Sequence, residues 1–227
     1  KAPVELKDYG FVAVCMGKGI TNILKDLGVD RVIEGGQTMN PSTDDILKAV
    51  KRVKAKTVYV FPNNKNIIMA ANQAAELVED KKIVVIPSKS VPQCISAMVE
   101  FNDKKSAEAN EKAMNKAIGR VTSGQLTYAV RDTEIDGIEI KKDDILGMVE
   151  GKIVTVGKDI DDVLNRVVSQ MVDEDTEFLN VYYGKEIKKP QADVMLKALE
   201  TKYADDEIEV SFKKGGQPLY YYIISAE

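Results

Sequence analysis

The sequence Gly-Gly-Gln-Thr-Met-Asn-Pro-Ser at residues 35–42 lies between an apolar strand-like run at 31–33 and a helix-like run at 44–53. A polar loop between a strand and a helix is where α/β proteins place their binding sites. Asn40 or Ser42 can cap the helix that follows, and the proline between them suits the first helical position. The order of strand, polar loop and helix predicts an α/β fold with parallel strands.

Three other loops stand between a strand candidate and a helix candidate, at residues 17–19, 63–66 and 88–93. Right-handed crossovers bring every strand-to-helix loop to the carboxyl ends of a parallel sheet, so we expect the four loops to line one crevice. Arg131, in the second half, is added as a partner-binding candidate. The predicted crevice or partner-binding residues are Gly36, Gln37, Thr38, Asn40, Ser42, Asn63, Asn64, Lys65, Asn66, Ser90, Gln93 and Arg131.

Residues 1–120 are predicted to form a first lobe with a parallel, Rossmann-like sheet covered on both faces. Apolar runs alternate with segments of helical period, which gives four strand–helix pairs, followed by a connecting helix or hinge between the lobes. The predicted strands are 11–16, 31–34, 57–61 and 83–87, and the predicted helices are 20–27, 43–53, 66–79, 92–101 and 102–120.

Residues 121–227 are predicted to form a mixed α+β lobe with antiparallel hairpins. Asp136-Gly137 and Glu150-Gly151 are two-residue hairpin signals. The predicted strands are 125–134, 145–149, 152–156, 178–183, 208–212 and 219–225, and the predicted helices are 159–172 and 191–202. Tyr220, Tyr221 and Tyr222 would alternate across the last strand and pack in the core or against neighbouring strands.

Residues 11–37 and 178–217 show an internal similarity. Each segment reads as strand, Gly-Lys, helix, strand and Gly-Gly-Gln. Duplication of one unit and independent convergence on a common strand–helix–strand motif both explain it.

The 227 residues include no histidine, which excludes Ser-His and Cys-His nucleophile pairs, imidazole metal ligands and the usual proton shuttle near neutral pH. Cys15 and Cys94 are the only cysteines, and two thiols without histidine make a poor zinc site. Both stand in apolar patterns, which predicts reduced core thiols and fits a reducing cytoplasm. Aspartate pairs at 44–45, 143–144 and 161–162 occupy helix starts and turns, so we expect capping there rather than metal binding.

Charge is distributed unevenly along the chain. Residues 1–120 carry 19 Lys and Arg and 14 Asp and Glu, a net charge of +5. Residues 121–227 carry 13 Lys and Arg and 22 Asp and Glu, a net charge of −9. The basic excess can attract an acidic partner, although solvated surface lysines are the simpler interpretation. It is too small for a nucleic-acid protein, and the chain has no tryptophan for base stacking.

Features of membrane insertion and secretion are not found in the sequence. No run approaches the roughly 18 apolar residues that a membrane-spanning helix needs, and no signal peptide is evident. The start at Lys1 predicts a fragment of a longer protein, and the two cysteines predict a cytoplasmic one.

The segment Gly-Lys-Gly-Ile-Thr-Asn at residues 17–22 resembles two nucleotide-binding motifs without completing either. As a dinucleotide fingerprint it has Glu34 at the end of the next strand, but Asn22 replaces the third glycine. As a phosphate-binding P-loop it has Gly19 where Ser or Thr would hold magnesium. We therefore predict a plain helix-entry turn, and a nicotinamide-dependent enzyme is the least supported function.

Five motifs in order resemble the C-terminal region of the A subunit of bacterial fatty acid kinase, a family also described as dihydroxyacetone-kinase-like. They are EGGQTMNPS at 34–42, PNNKN at 62–66, SVPQ at 90–93, TYAVRDTE at 127–134 and GGQPLYYY at 215–222. The resemblance covers nearly the whole chain. It implies a fold similar to the two-lobed DegV fold, in agreement with the lobes predicted above.

The resemblance also implies that separate domains bind ATP and the fatty-acid-binding partner. An N-terminal domain similar to the dihydroxyacetone kinase nucleotide-binding subunit, outside this chain, would carry ATP and magnesium. The C-terminal region would engage the separate B subunit, which is a fatty-acid-binding, DegV-type protein. That protein presents the acyl carboxylate for phosphorylation to acyl phosphate.

Two departures limit what is carried over from dihydroxyacetone kinases. Their substrate subunits hold the ketone through a histidine, which this chain does not have, and the acidic ATP-binding loops are not matched. The leading prediction is therefore a catalytically silent partner-docking domain of fatty acid kinase without a cofactor of its own. Homodimer formation stays open.

The alternative function is a small-molecule or lipid carboxylate/phosphate-binding domain. Thr38, Ser42, Asn63, Asn64 and Ser90, with helix N-termini, would hold the anionic group. A long apolar tunnel beneath the polar loops would distinguish it from a docking domain.

Overall fold

The computed structural model describes residues 5–36 and 39–227, which separate into two compact units. The first unit contains the residues up to Met16 together with Thr21–Arg120. The second unit contains Val121–Glu227 together with the short segment Gly17–Ile20.

The first unit is a parallel four-stranded sheet with strand order β2-β1-β3-β4. Helices connect successive strands, and this order confirms the predicted parallel α/β fold. The elements are β1 (Lys7–Cys15), α1 (Lys18–Asp26), β2 (Arg31–Glu34), α2 (Thr43–Arg52), β3 (Ala55–Phe61), α3 (Ile68–Glu76), β4 (Lys82–Val85), α4 (Val91–Glu100) and α5 (Ala107–Ile118).

The central strands β1 and β3 are buried on both faces, which explains their nearly continuous apolar sequence. On one face, Val12 of β1 belongs to a cluster with Ile46 of α2. On the other face, the rings of Phe11 and Tyr59 stack with centroids 5.5 Å apart. Phe101, which ends α4, meets Phe11 edge-on at 4.8 Å. Helices therefore cover both faces of the sheet.

The second unit contains a six-stranded mixed sheet with strand order β11-β10-β12-β5-β8-β9 and a two-stranded ribbon, β6-β7. Only β10 and β11 pair in parallel within the six-stranded sheet. The elements are β5 (Thr122–Tyr128), β6 (Thr133–Ile135), β7 (Ile138–Ile140), β8 (Ile145–Val149), β9 (Lys152–Gly157), α6 (Ile160–Met171), β10 (Phe178–Tyr183), α7 (Lys189–Lys202), a 3-10 turn (Ala204–Asp206), β11 (Glu209–Lys214) and β12 (Tyr222–Ala226).

Both predicted hairpins are confirmed. Asp136 and Gly137 join β6 to β7 with φ of 50° and 77°, and Glu150 and Gly151 join β8 to β9 with φ of 50° and 76°. Positive φ at both central residues is the type I′ geometry, whose twist matches that of the flanking strands.

Helix α6 packs closely on β5 and β8 because two strand glycines leave room for it. A methyl group on Gly147 would lie 2.4 Å from a methyl carbon of Val167, and one on Gly124 would lie 2.3 Å from the sulfur of Met171. The α6 side chains instead join one core with β10, β12 and α7.

The strand predicted over 125–134 is shorter than expected. It ends at Tyr128, because Ala129 pairs with the turn before β8: its N–H donates to the Asp144 carbonyl at 2.9 Å and its carbonyl accepts from the Asp143 N–H at 2.8 Å. Similarly, the connecting helix predicted over 102–120 occupies only Ala107–Ile118.

The last strand begins later than predicted. It starts at Tyr222, because the Tyr220 N–H donates to the Pro218 carbonyl at 2.8 Å and closes a three-residue turn around Leu219, whose φ is 69°. The prediction that three consecutive tyrosines alternate across this strand is therefore wrong. Tyr222 alone of the three lies in β12.

The two internally similar segments both fold as strand–helix–strand units with parallel strands, β1-α1-β2 and β10-α7-β11. Gly36 and Gly216 follow the second strand of each unit and both have positive φ, 103° and 68°. Duplication and convergence both account for this likeness.

Candidate functional site

The carboxyl ends of β1, β3 and β4 are joined by one buried asparagine. Asn63, the second residue after β3, donates from Nδ2 to the carbonyl oxygen of Val14 in β1 at 2.9 Å. Its Oδ1 accepts from the Ser88 hydroxyl at 2.7 Å, and its backbone N–H donates to the Ser88 hydroxyl oxygen at 3.2 Å. Ser88 follows β4, so these bonds fasten the ends of three strands together.

The backbone of Asn63 is left-handed, with φ of 57°, a conformation that asparagine tolerates better than most side chains. Its amide also bonds the Cys94 thiol, whose pKa is raised by burial. Burial likewise raises the pKa of Cys15, although a contact of 3.5 Å with the Thr21 hydroxyl opposes the shift. Both cysteines are free and buried, as predicted, and a neutral buried thiol is a poor nucleophile.

The loop after β4 uses its polar side chains as helix caps. Ser90 is the N-cap of α4, and its hydroxyl accepts from the Gln93 N–H at 3.2 Å. The Gln93 side chain accepts from the Lys89 N–H at 2.7 Å and donates to the Ile118 carbonyl at 3.2 Å. It therefore joins this loop to the end of α5.

The loop after β2 is closed by a capping box. Ser42, rather than Asn40, is the N-cap of α2: its hydroxyl accepts from the Asp45 N–H at 3.1 Å, and its own N–H donates to the Asp45 carboxylate at 2.9 Å. The backbone and side-chain hydrogen bonds from Ser42 lower the pKa of Asp45. Gly36 is held by a bond of 3.0 Å from its N–H to the Met39 carbonyl. Gln37 and Thr38, which were also predicted as site residues, lie between Gly36 and Met39 and outside the described residues.

The other predicted site residues are more exposed. The Asn64 side chain accepts from the Asn66 N–H at 2.9 Å and shapes the β3–α3 loop. Lys65, Asn66 and Asn40 are exposed. Arg131 is exposed in the second unit. Within residues 5–36 and 39–227, neither Lys65 nor Arg131 has an ion-pair partner.

A groove runs along β2, at the edge of the first sheet, and we call it the edge groove. Its volume is about 440 Å³. It is lined by Arg31, Val32, Ile33, Glu34, Met39, Asn40, Pro41, Asp45, Lys48, Ala49 and Arg52. One wall is the edge strand itself and the other is the outer side of α2.

The first of the four predicted crevice loops packs within the second unit, against the segment after β11. The Ile20 N–H donates to the Gly215 carbonyl at 3.0 Å. A methyl group on Gly19 would lie 1.9 Å from the Lys214 carbonyl oxygen, and one on Gly17 would lie 2.6 Å from the backbone nitrogen of Gln217. Both glycines of the Gly-Lys-Gly sequence are therefore required by close backbone packing.

Gln217 is buried in the second unit and donates from Nε2 to the Tyr182 carbonyl at 2.8 Å. The same segment bonds the loop after β10, because the Lys185 N–H donates to the Gln217 carbonyl at 3.0 Å. Gly184 makes this approach possible, since a methyl group there would lie 2.2 Å from the Tyr220 carbonyl oxygen.

The second unit also has a cavity of about 400 Å³ beside the strained turn at Leu219. Its lining comprises Tyr128, Asp143, Lys185, Glu186, Pro218, Leu219 and Tyr221. The rings of Tyr128 and Tyr221 lie 5.9 Å apart, and the pKa of Tyr221 is raised, mainly by burial and then by Tyr128. The cavity therefore combines an aromatic pair with charges of both signs.

Among the described residues, no group of three or more Cys, Asp or Glu side chains is arranged to hold a metal ion. Asp45 and Asp159 act as helix-capping side chains, and Asp144 accepts from the Lys141 N–H at 2.9 Å. In the same part of the chain, no helix is long and apolar enough to cross a bilayer.

Residues 10–227 match the family model for the C-terminal part of proteins like the A subunit of fatty acid kinase. The chain belongs to this family. Protein YloV of Bacillus subtilis (strain 168) is 48% identical over 227 residues, which are all of this chain and 40% of that protein. An uncharacterized protein of Staphylococcus aureus (strain USA300) is 44% identical over the same length, which is 41% of that protein. The chain thus spans about two fifths of these relatives.

Solved structures with low sequence identity share the fold. A DegV family protein from Corynebacterium glutamicum matches with a TM-score of 0.65 and 12% identity, over 96% of each chain. Dihydroxyacetone kinase of C. freundii matches with a TM-score of 0.62 and 11% sequence identity, over 99% of this chain and 49% of that chain. The Streptococcus pneumoniae fatty acid kinase B3 protein, loaded with linoleic acid, matches with a TM-score of 0.56 and 10% sequence identity. The match covers 97% of this chain and 99% of that chain. These matches confirm the DegV-like fold.

Sequence reasoning did not identify Ser88 or the Leu219 turn as important. Ser88 is hidden among several polar residues in one loop, and only its hydrogen bond to Asn63 distinguishes it. The close packing of Gly19 and Gly215 was also missed, because the two residues lie far apart in the sequence.

Proposed function

We propose that the chain is the docking domain in the A subunit of a fatty acid kinase, where it binds a DegV-type, fatty-acid-binding partner. The partner would present an acyl carboxylate to an ATP-binding domain elsewhere in the longer protein, which would transfer the γ-phosphoryl group of ATP to it. The products of that reaction are an acyl phosphate and ADP. The chain itself would position the partner and take no part in the chemistry.

The observation that carries this proposal is the use of the strand-end polar residues. Asn63, Ser88, Ser42 and Gln93 hold loops and helix ends together by hydrogen bonds inside the first unit. A ligand site would need such groups to be available for the ligand. Lys65 instead projects as an exposed charge from the same edge, which suits recognition of a protein surface.

Family membership and the shared fold support the proposal. The chain spans about two fifths of its relatives, and we propose that ATP and magnesium bind in the part of the longer protein that it does not span. We also propose a cytoplasmic location, which the two free thiols support.

Calorimetric titration of the 227-residue chain with each DegV-type protein of the same organism tests the proposal. We expect one-to-one binding that weakens with added salt, since charged side chains would guide the encounter. Titration with a free fatty acid is the matched control and distinguishes docking from the lipid-binding alternative. Binding of the fatty acid without binding of any DegV-type protein would contradict the docking role.

A further inference from the structure

We propose that the edge groove binds an extended, acidic segment of the partner, which adds as a strand to β2. This inference rests on the docking function proposed above and names the surface and the chemistry that it uses.

The first argument is the position of β2 in the sheet. β2 pairs with β1 on one side and is the outermost strand of the order β2-β1-β3-β4. Within the described residues, no strand pairs with its outer side. Such an edge presents backbone N–H and C=O groups that an extended peptide can bind, and adding a strand to an edge is a common mode of peptide recognition.

The second argument is the shape and composition of the groove. Val32 and Ile33 of the strand are half-buried, and Ala49 of α2 lies across from them. Met39, which is 69% exposed, stands at the end of the groove. An extended segment therefore finds backbone partners and half-buried apolar side chains on the β2 wall, and Ala49 among charged side chains on the α2 wall. Backbone pairing with contacts to alternate side chains is the combination that strand addition uses.

The third argument is charge. Lys48 is paired with Asp44 at 2.5 Å, and Asp45 is held in the capping box. Arg31 and Arg52 also line the groove, are exposed, and have no ion-pair partner in residues 5–36 and 39–227. They outnumber Glu34, the one acidic residue of the lining outside the capping box. Two available guanidinium groups favour an acidic segment, because they bind carboxylates with paired hydrogen bonds.

The opposite edge of the same sheet provides an internal comparison. At β4, Lys82 forms an ion pair with Glu108, and Lys81 donates to the Val53 carbonyl at 2.8 Å. The basic side chains at that edge are therefore engaged within the unit, whereas Arg31 and Arg52 at the β2 edge are available. We assign the docking role to β2 for this reason.

Hydrogen exchange of the 227-residue chain, alone and saturated with its DegV-type partner, tests the inference. We expect slower amide exchange within Arg31–Glu34 on binding and unchanged exchange within Lys82–Val85. The double variant Arg31→Gln with Arg52→Gln should bind the partner about three- to tenfold more weakly, because two rim charge pairs are lost. The matched control, Lys104→Gln with Lys116→Gln, removes two exposed lysines outside the groove and should bind like wild type.

The outcomes separate this inference from the docking function. Partner binding with unchanged exchange in β2, or with equal affinity in the arginine and lysine variants, would overturn the groove assignment and leave docking intact. No binding of any DegV-type protein to the wild-type chain would overturn both. Weaker binding by the arginine variant alone, with protection of β2, supports the inference.

Discussion

The side chains of Asn63 and Ser88 form a hydrogen bond of 2.7 Å that joins the end of β3 to the end of β4. The same asparagine bonds the Val14 carbonyl, so one amide fixes the relative positions of three strand ends. Such residues at the carboxyl edge of a parallel sheet are often read as ligand-binding groups. Here they hold the ends of the strands and the loop that carries the exposed Lys65.

Replacing Asn63 with aspartate should destabilise the chain by about 2–3 kcal/mol at pH 7.5, because a carboxylate cannot donate to the Val14 carbonyl and is buried beside it. Asn64→Asp is the matched control and should change stability by less than about 0.5 kcal/mol. Asn64 accepts from the Asn66 N–H, and a carboxylate can still do so. Urea unfolding measures both values, and equal stability of the two variants would contradict this role of Asn63.

The regular part of the fold could be predicted from sequence because its signals are local. Strands Arg31–Glu34 and Phe178–Tyr183 were predicted with the observed bounds, and both hairpins follow from their Asp-Gly and Glu-Gly turns. The capping box at Ser42 is likewise a local pattern. In each case the residues that decide the structure are neighbours in the chain.

The missed features depend on contacts between distant segments. The late start of β12 follows from a strained turn at Leu219, and the Thr127 hydroxyl supports that turn by donating to the Leu219 carbonyl at 2.7 Å. The antiparallel placement of β12 between β10 and β5 joins strands far apart in sequence. The partner of Gly19 also lies at the other end of the chain, so no local pattern could show it.

Gly19→Ala should destabilise the second unit by about 1–3 kcal/mol or more, because the new methyl group would lie 1.9 Å from the Lys214 carbonyl oxygen. Gly119→Ala is the control: its φ is −70°, and the nearest atom to its new methyl group would be 3.4 Å away. That change should be neutral or slightly stabilising. Thermal melts of both variants check the prediction, and a Gly19→Ala melt equal to wild type would rule out the close packing.

The stability of the chain should fall as pH rises above about 9. Burial raises the pKa of Cys94 and Cys15 above the ordinary value of 9.0. Unfolded thiols therefore release protons from about pH 9 upward while the folded thiols keep theirs, so the folded state loses stability with increasing pH. Each thiol contributes up to about 1.4 kcal/mol per pH unit once its unfolded form is fully ionised.

Comparison with Cys94→Ala tests this dependence. Between pH 9 and 10 the variant should lose stability less steeply than wild type, whereas between pH 7 and 8 the two slopes should agree. Urea unfolding across this range gives the slopes. Tyrosine ionisation affects both proteins alike, so parallel curves throughout would mean that the Cys94 thiol does not cause the effect.

Magnesium-ATP should not bind the isolated chain. A phosphate-binding loop needs open N–H groups at the start of its helix and a Ser or Thr after the lysine. In α1 the Ile20 N–H is bonded to the Gly215 carbonyl, and Gly19 occupies the position after Lys18. Calorimetric titration checks this, with the full-length protein as the positive control. A stoichiometric dissociation constant in the low micromolar range for the isolated chain would contradict it.

Reversing the charge of Lys65 or Arg131 should weaken association with the DegV-type partner and leave the fold intact. Both side chains are exposed, and exposed charges rarely support a core. Charges at the rim of an interface chiefly guide the encounter, so we expect a slower association rate and a smaller dependence on salt for Lys65→Glu and Arg131→Glu. Surface plasmon resonance at two salt concentrations, beside thermal melts, measures both effects.

Lys104→Glu, a charge reversal in an exposed loop, is the control. Wild-type association by both variants would place the interface elsewhere, and Tyr220 and Tyr221 before the terminal strand would be the next residues to change.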